Sequence, residues 1–195
     1  TPVFIRLSTR VSHSQSMVEI CERQEVDLKP YEKNIPKNVM MPGNAIKRHV
    51  VVEDRIKAIT DFSEATDLNK AEMNGSKIGV ITAGISYMYA HEALGDSVNY
   101  LKLGMVYPMP EKLIKDFCDK CDKVYVIEEL DPFIEEHCKN IGVNVEGKDL
   151  FTLLGEYTPA MIKKVVLGEA TAEFDTVDET IPVRPPIMCA GCPHR

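Results

Sequence analysis

The feature that most constrains the fold is a regular alternation of strand-like and helix-like segments between residues 77 and 168. Short apolar runs typical of strands occur at KIGVIT, VNYLKLG, KVYVIEE and VNVEG, and helix-like segments separate and follow them. Parallel strands need long crossover connections, which are usually helices. The order therefore predicts a three-layer α/β domain of about 90 residues, with a mostly parallel sheet covered on both faces.

Residues that begin and end helices support this interpretation. The last helix, TPAMIKKVVLG, has Thr158 as its predicted N-cap, Pro159 at its first position and Gly168 at its end. In VIEELDP, Asp131 is predicted to cap the next helix and Pro132 to open it. A divalent metal bound by Glu128, Glu129 and Asp131 is the alternative, because ligands usually bind at the carboxyl ends of such strands.

The flanking segments are less regular. Residues 3–7 are strand-like and lead into the polar turn STRVSHSQS, while residues 21–50 carry four prolines or glycines and many charges, as in an ordered linker. An apolar stripe predicts an amphipathic helix near residues 52–66. Residues 169–180 carry five acids and no base, which indicates a solvated tether.

Composition excludes several classes of protein. The 195 residues carry a net charge of −7, which disfavours a nucleic-acid partner. No apolar run is long enough to span a bilayer, and the start lacks the layout of a signal peptide. The six cysteines are not needed as disulfides in a chain this large, so we expect reduced thiols and a cytoplasmic protein. Both ends fall inside motifs, which leads us to expect a segment of a longer protein.

Two loops are candidate binding sites. STRVSHS groups Arg10, Ser12 and His13 after the first strand-like run; Arg10 is suited to a carboxylate and His13 to proton transfer, but a hydrogen-bonded structural turn explains the loop equally well. In ITAGIS, Gly84 and Ser86 lie where a strand meets a helix N-terminus, which suits an anion. A plain tight turn is the alternative there, because the spacing of a dinucleotide motif is missing.

The cysteine pairs give two different predictions. Cys118 and Cys121 follow an apolar helical stripe, so we expect both to point into the core. Cys189 and Cys192, in CAGCPH, are placed like half of an iron–sulfur or zinc site, with a redox disulfide as the main alternative. A further possibility is that the whole chain is a small metal or redox protein using this pair, or a stand-alone anion- or coenzyme-binding module using ITAGIS.

Several segments, in order, resemble one family. TRVSHS, NAIKRH, GVITAGISYMYAHEALGD, LKLGMVYPMPEKLI, VYVIEELDPFIEE and RPPIMCAGCPHR are similar to the large (alpha) subunits of indolepyruvate:ferredoxin oxidoreductases. These are thiamine-diphosphate-dependent 2-oxoacid:ferredoxin oxidoreductases. The resemblance implies that residues 1–20 end a pyrimidine-binding domain, 21–75 form a linker with a helix, 76–168 form a transketolase C-terminal-like domain, and 169–195 lead into a diphosphate-binding domain.

The resemblance also implies a function. The family oxidatively decarboxylates aryl 2-oxoacids such as indolepyruvate, with coenzyme A as acyl acceptor and ferredoxin as electron acceptor. It uses thiamine diphosphate, Mg²⁺ and 4Fe-4S clusters, and it includes a smaller beta subunit. The chain lacks the Gly-Asp-Gly signature for Mg²⁺ and diphosphate. We therefore expect a scaffold and interface segment of an oligomeric enzyme, with no catalytic residue and no cofactor of its own.

The resemblance implies roles for residues at both ends. Cys189 and Cys192 match a cluster-binding pair of related enzymes, although Ala190 departs from the family pattern Cys-Pro-Gly-Cys-Pro-His. Arg10, Ser12 and His13 match a family loop, which implies a position near the substrate or an interface.

Overall fold

The computed structural model describes residues 3–7, 12, 15 and 17–169, and the chain divides into two compact units, Thr1–Ala45 and Ile46–Arg195. In the first unit a short helix, α1, spans Ile35–Asn38, and the side chain of Asn34 accepts a hydrogen bond from the Lys37 N–H at 3.1 Å. Residues 3–7 form no strand, and their apolar side chains are exposed. The strand predicted at residues 3–7 is therefore wrong, because a strand needs a neighbour for its backbone groups and these residues pair with none of the described strands.

A long helix, α2, spans Pro42–Ala65 and contains the boundary between the two units. It includes the predicted helix near residues 52–66 but begins ten residues before it. The sequence pattern placed Pro42 and Gly43 in the linker as helix breakers. Proline is well tolerated in the first turn of a helix, where its missing N–H would have had no partner.

The second unit contains the predicted three-layer α/β architecture. Its further elements, in chain order, are β1 (Asn69–Glu72), β2 (Ile78–Ala83), α3 (Gly84–Leu94), a 3-10 turn (Gly95–Ser97), β3 (Asn99–Leu103), α4 (Glu111–Cys118), β4 (Lys123–Ile127), α5 (Phe133–Asn140) and α6 (Pro159–Leu167). The four strands form one sheet with the order β1-β3-β2-β4; β2 is parallel to β3 and β4, and only β1, at the edge, is antiparallel to its neighbour β3.

Alternating side chains of the strands build one apolar core on each face of the sheet. On one face Val80 of β2 and Tyr125 of β4 pack in a cluster with residues of α3 and α6. On the other face Ile81 and Val126 pack in a cluster with residues of α4 and α5. Strands buried on both faces explain the continuous apolar runs that the sequence shows.

Two strand predictions need correction. The edge strand β1, whose sequence is Asn-Lys-Ala-Glu, was missed because it carries no apolar alternation. The segment VNVEG was predicted as a strand, but it makes only an isolated parallel bridge between Glu146 and Tyr125. The chain turns away directly afterwards, since the Gly147 carbonyl accepts turn hydrogen bonds from the N–H groups of Leu150 and Phe151.

The last helix is capped as predicted. The Thr158 side chain accepts a hydrogen bond from the Met161 N–H at 3.2 Å, and Gly168 ends α6 in the left-handed conformation with φ of +68°. This conformation strongly favours glycine. Within the described part of the chain, no helix combines the length and the apolar character needed to cross a membrane.

Candidate functional site

The strands β2, β3 and β4 end at the same side of the sheet, which we call the carboxyl edge. The ends of β2 and β4 are joined there, because the buried Thr82 hydroxyl donates a hydrogen bond to the Ile127 carbonyl at 2.8 Å. In open α/β sheets ligands usually bind outside this edge. A ligand site of this domain is therefore expected at the carboxyl edge.

The predicted anion loop lies at this edge, between β2 and α3. Gly84 has φ of +56°, and a Cβ added to it would meet no atom within 4 Å. The positive φ therefore favours glycine at residue 84, whereas the space around it would admit a larger side chain. Ala83 at the N-cap supplies no side-chain acceptor, whereas Ser86 is buried in the first turn. A helix start without a side-chain cap is compatible with an anion, and the anion site of Gly84 and Ser86 stays a prediction.

The start of α5 is capped by a different residue from the one predicted. The Glu128 carboxylate accepts hydrogen bonds from the N–H groups of Ile134 and Glu135 at 2.8 and 2.9 Å. Asp131 contributes only its carbonyl to the helix start, by accepting from the Phe133 N–H, and Pro132 takes the N-cap position. The prediction that Asp131 caps the helix is therefore wrong, because the carboxylate of Glu128, and not that of Asp131, accepts hydrogen bonds from the free N–H groups.

Glu128 is only 8% exposed. Burial raises the pKa of its carboxyl group, while the two backbone hydrogen bonds and the nearby Lys148 act in the opposite direction. The helix N-terminus favours the charged carboxylate, but removal from water has the larger effect. Glu128 thus provides a structural cap that is sensitive to pH.

A second buried carboxylate, Glu135, lies directly behind this cap. Its oxygens accept hydrogen bonds from the ammonium group of Lys139 at 2.6 Å and from the Lys148 N–H at 2.8 Å. A Cβ added at Gly147 would clash with this carboxylate. Gly147 therefore leaves room for the Glu135 carboxylate in its hydrogen-bonded position, and the loop after Glu146 lies against α5.

Lys148 and Tyr157 complete the network. The Lys148 ammonium group donates to the Glu128 carbonyl and to the Tyr157 hydroxyl, and that hydroxyl donates to the Thr152 carbonyl at 2.8 Å. The Tyr157 N–H donates to the Glu129 carboxylate at 2.8 Å. Burial lowers the pKa of Lys148, and burial together with the neighbouring carboxylates raises the pKa of Tyr157 to about 12.

These contacts indicate a structural network. The carboxylates of Glu128, Glu129 and Glu135 each bind backbone N–H groups, and the Tyr157 hydroxyl stays protonated near neutral pH. The described residues also contain no group of three or more His, Cys, Asp or Glu side chains placed to hold a metal ion. The network joins the end of β4, the start of α5 and the loop from residue 148 to residue 158.

The cysteines of the described region belong to the second core. Cys118 and Cys121 are half-buried against it, as predicted, and Cys138 is fully buried. Burial, with a smaller effect of neighbouring charges, raises the pKa of Cys118 and of Cys138 to about 12 in each case. Protonated thiols are poor nucleophiles and poor metal ligands. Cys118 and Cys121 also line a surface cavity of about 680 Å³ next to the start of β4, at the opposite edge of the sheet from the Glu128 network.

The structure places only some of the predicted site residues. Gly84 and Ser86 lie together at the start of α3, and Ser12 is described as an exposed residue. Arg10 and His13, together with Cys189 and Cys192, lie outside the described residues. Sequence reasoning missed the roles of Lys148 and Tyr157, which lie in an irregular loop where no periodic signal marks them.

A solved structure shares the fold of this chain. One solved structure, a 2-oxoglutarate:ferredoxin oxidoreductase from Magnetococcus marinus with 2-oxoglutarate, coenzyme A and succinyl-CoA bound, matches 66% of this chain and 24% of its own chain, with a TM-score of 0.52 and 20% sequence identity. The mixed α/β fold with a mostly parallel four-stranded sheet is therefore that of a domain found in 2-oxoacid:ferredoxin oxidoreductases.

Several curated proteins are similar to this chain in sequence. Proteins named indolepyruvate oxidoreductase subunit IorA are 30% identical over 212 residues in Archaeoglobus fulgidus and 32% identical over 213 residues in Methanothermobacter thermautotrophicus. A protein of the same name from Pyrococcus horikoshii is 32% identical over 221 residues. No protein-family profile matches the chain.

The alignments cover 99–100% of this chain but only 34% of each relative, so the chain spans about a third of the length of the curated relatives that it matches. The chain is similar to one segment of the IorA subunits of indolepyruvate oxidoreductases, as the resemblance in the sequence predicted.

Proposed function

We propose that the chain is the central part of a subunit of an indolepyruvate:ferredoxin oxidoreductase. The whole enzyme oxidatively decarboxylates aryl 2-oxoacids, transfers the acyl group to coenzyme A and passes the electrons to ferredoxin. The observation that carries this proposal is the similarity of the chain, over 99–100% of its length, to subunits that are named for indolepyruvate oxidation. The structural neighbour, which binds coenzyme A and a 2-oxoacid, is consistent with it.

Within that enzyme the α/β domain acts as a scaffold and an interface. The carboxylates at the carboxyl edge bind backbone N–H groups of their own domain, which favours a structural role for them. The proposed layout is that of the sequence analysis. Residues 1–20 end a pyrimidine-binding domain, residues 21–75 form a linker with a helix, residues 76–168 form the transketolase C-terminal-like domain, and residues 169–195 lead into a diphosphate-binding domain.

The proposal assigns the cofactors to other parts of the enzyme. Thiamine diphosphate with Mg²⁺ supplies the decarboxylation chemistry, and 4Fe-4S clusters carry the electrons. For the clusters, this placement is supported by the described thiols, which are half-buried or buried in the core apart from the exposed Cys21, and by the lack of a metal-binding group of side chains among the described residues. Cluster binding by Cys189 and Cys192 in the whole enzyme stays a prediction. So does a position of Arg10, Ser12 and His13 near the substrate or an interface.

The partners follow from the same proposal. They are a smaller beta subunit, ferredoxin, coenzyme A and an aryl 2-oxoacid, in an oligomeric enzyme of the cytoplasm. Neither a nucleic acid nor a membrane is proposed as a partner.

The test is an assay of the complete enzyme that contains this chain, purified without oxygen. We expect ferredoxin reduction that depends on coenzyme A and is faster with indolepyruvate than with pyruvate or 2-oxoglutarate. A preference for 2-oxoglutarate, or reduction without coenzyme A, would contradict the proposed activity.

A second experiment tests the scaffold role. Calorimetric titration of the 195-residue chain with thiamine diphosphate and Mg²⁺ is expected to give no binding heat, and the complete enzyme serves as the positive control. Tight binding to this chain alone would contradict the assignment of the cofactor to neighbouring domains.

A further inference from the structure

The exposed apolar side chains of the α/β domain are concentrated at its carboxyl edge. Between Thr66 and Glu169, every large apolar side chain that is exposed, except Met73, lies in a segment at this edge or within about one helical turn of it. The most exposed are Leu154 at 81%, Tyr107 at 69% and Leu130 at 63%. Scattered exposed apolar residues are ordinary, but a collection on one side of a domain marks an interaction surface.

Topology explains why these residues share an edge. Tyr107 follows β3 and Leu130 follows β4, which are both parallel to β2. The loop with Leu154 is held at the same place, because Lys148 and Tyr157 at its two ends bind the carbonyl of Glu128 and the carboxylate of Glu129. Met73 follows the antiparallel edge strand β1 and therefore lies at the opposite edge.

The segments that form this surface are acidic. The segments 66–68, 83–88, 104–110, 128–133 and 149–158 carry six acidic residues and no Lys, Arg or His. The carboxylates of Asp67, Asp131 and Asp149 belong to exposed residues. Four lysines adjoin these segments. Lys148 is half-buried and hydrogen-bonded within the domain, Lys70 pairs with Glu72, Lys102 lies over the Tyr87 ring, and Lys112 lies in the first turn of α4. A surface of this kind attracts a basic partner and repels another copy of itself.

The backbone at Leu130 adds an independent observation. Leu130 has φ of +62° and is the only non-glycine residue with positive φ that the described part of the chain records. Its side chain gains no burial in return, since it is 63% exposed. Strained backbone at a bulky residue persists where a function needs that side chain in that place.

We propose that the carboxyl edge is a docking surface for another domain of the same polypeptide, one that presents apolar side chains inside a rim of Lys and Arg. This inference rests on the proposed function, in which the chain is the central part of a longer subunit. About two thirds of the length of each matched relative lies outside the region that is similar to this chain. Covalent linkage gives such a domain a high effective concentration, so modest apolar and charge complementarity is sufficient.

The test uses the full-length subunit in its own cells, with a photo-reactive benzoylphenylalanine at residue 154 or at residue 107 as the probe. A third protein with the probe at residue 73, at the opposite edge, is the matched control. We expect both edge positions to crosslink within the subunit, to peptides beyond this chain that contain apolar residues next to Lys or Arg. The yield should exceed that of the control by about tenfold, as for groups inside rather than outside an interface.

Several results would overturn the proposal. They are yields equal to the control, crosslinks to acidic peptides, crosslinks within residues 1–195, and a mass shift on a denaturing gel that shows a second copy or a different subunit. Indolepyruvate oxidation is measured on the same preparation. Activity without the expected crosslinks contradicts the docking surface alone, and the expected crosslinks without activity contradict the proposed function alone.

Two variants separate docking from stability. Leu130→Gly relieves the positive φ, so we expect a higher melting temperature together with about a threefold lower crosslinking yield from residue 154. Asp131→Asn with Asp149→Asn should also lower the yield about threefold, with a smaller dependence on salt. A stabilised Leu130→Gly protein with an unchanged yield would show that the exposed side chain has no part in docking.

Discussion

Helices α4 and α5 both start at the carboxyl edge, and both are capped by a glutamate, but the two caps differ in origin and burial. For α5 the cap is Glu128, six and seven residues before the N–H groups that it binds, and it is buried. For α4 the cap is Glu64, which lies on α2 and accepts hydrogen bonds from the N–H groups of Lys112 and Leu113, both at 2.9 Å. Glu64 is half-buried and 48 residues away along the chain.

The difference shows two uses of the same interaction. The local cap fixes the loop after β4 in a buried network with Glu135 and Lys148. The distant cap attaches the end of α2 to the domain, where the Ser63 hydroxyl also donates to the Pro108 carbonyl at 2.7 Å. Because water cannot replace the acceptor at a buried site, removing the buried cap should cost more stability than removing the half-buried one.

The largest effect is expected from removing each cap. Glu128→Ala should lower the free energy of unfolding by about 2–4 kcal/mol, because two buried N–H groups lose a charged acceptor, and Glu64→Ala by about 1 kcal/mol, because water can replace that carboxylate. Urea unfolding of both variants measures the difference. Equal losses would remove the distinction between the two caps.

The close packing behind Glu128 gives the next largest effect. Gly147→Ala places a Cβ against the Glu135 carboxylate, so we expect a loss of about 2 kcal/mol as the loop moves away from α5. Gly43→Ala is the matched control, since its Cβ would meet no atom within 4 Å near the start of a helix. Thermal unfolding compares the two variants, and a neutral Gly147→Ala would show that the loop is not held by this contact.

A double-mutant cycle tests whether Lys148 and Tyr157 stabilise the network jointly. Lys148→Met removes the ammonium group from the Glu128 carbonyl and the Tyr157 hydroxyl, and Tyr157→Phe removes that hydroxyl. We expect each single change to cost about 1–1.5 kcal/mol, with a coupling energy of about 0.5–1 kcal/mol because the two groups are in contact. Additive losses in urea unfolding would indicate that the two residues act independently.

The smallest effect is a dependence on pH. The pKa of Glu128 is raised in the folded protein, so the folded state binds the proton more readily than the unfolded state. The stability that comes from this stronger proton binding is complete below the unfolded pKa of about 4.5. It is lost as pH rises through the folded pKa, by at most about 1.4 kcal/mol per pH unit.

Glu128→Gln keeps an oxygen acceptor but does not titrate. The wild-type protein should therefore gain stability relative to this variant as the pH falls toward about 4.5, measured by urea unfolding at a series of pH values. A relative gain on raising the pH would contradict the direction of the pKa shift.

The sequence predicted elements well where their signals were local. The apolar runs of β2, β3 and β4 and the Thr158 cap were recognised because each depends on residues a few positions apart. The cap of α5 was assigned to Asp131, the residue that lies closest to the helix, whereas the structure uses Glu128. Local rules give the position of a helix start, but the carboxylate that binds it is selected by the path of the intervening loop.

The sequence-based strand predictions were wrong where strand formation depends on pairing with a distant segment. Residues 3–7 have the composition of a strand but pair with none of the described strands, while Asn-Lys-Ala-Glu forms a strand because β3 offers its free edge. The segment VNVEG ends after one bridge, because the turn at Gly147 carries the chain toward α5. Edge strands and loops depend on distant neighbours, which no periodic pattern encodes.

By itself, the sequence determined the three-layer α/β order of the domain and its relation to IorA subunits, because hydrophobic period and motif order are properties of consecutive residues. Only the tertiary structure decided that Glu128 and Glu64 cap two neighbouring helices, that Lys148 joins Tyr157 to the end of β4, and that exposed apolar residues from separate loops share one edge of the sheet. These features require residues far apart in the chain to meet, and their meeting is fixed by the packing of helices on both faces of the sheet.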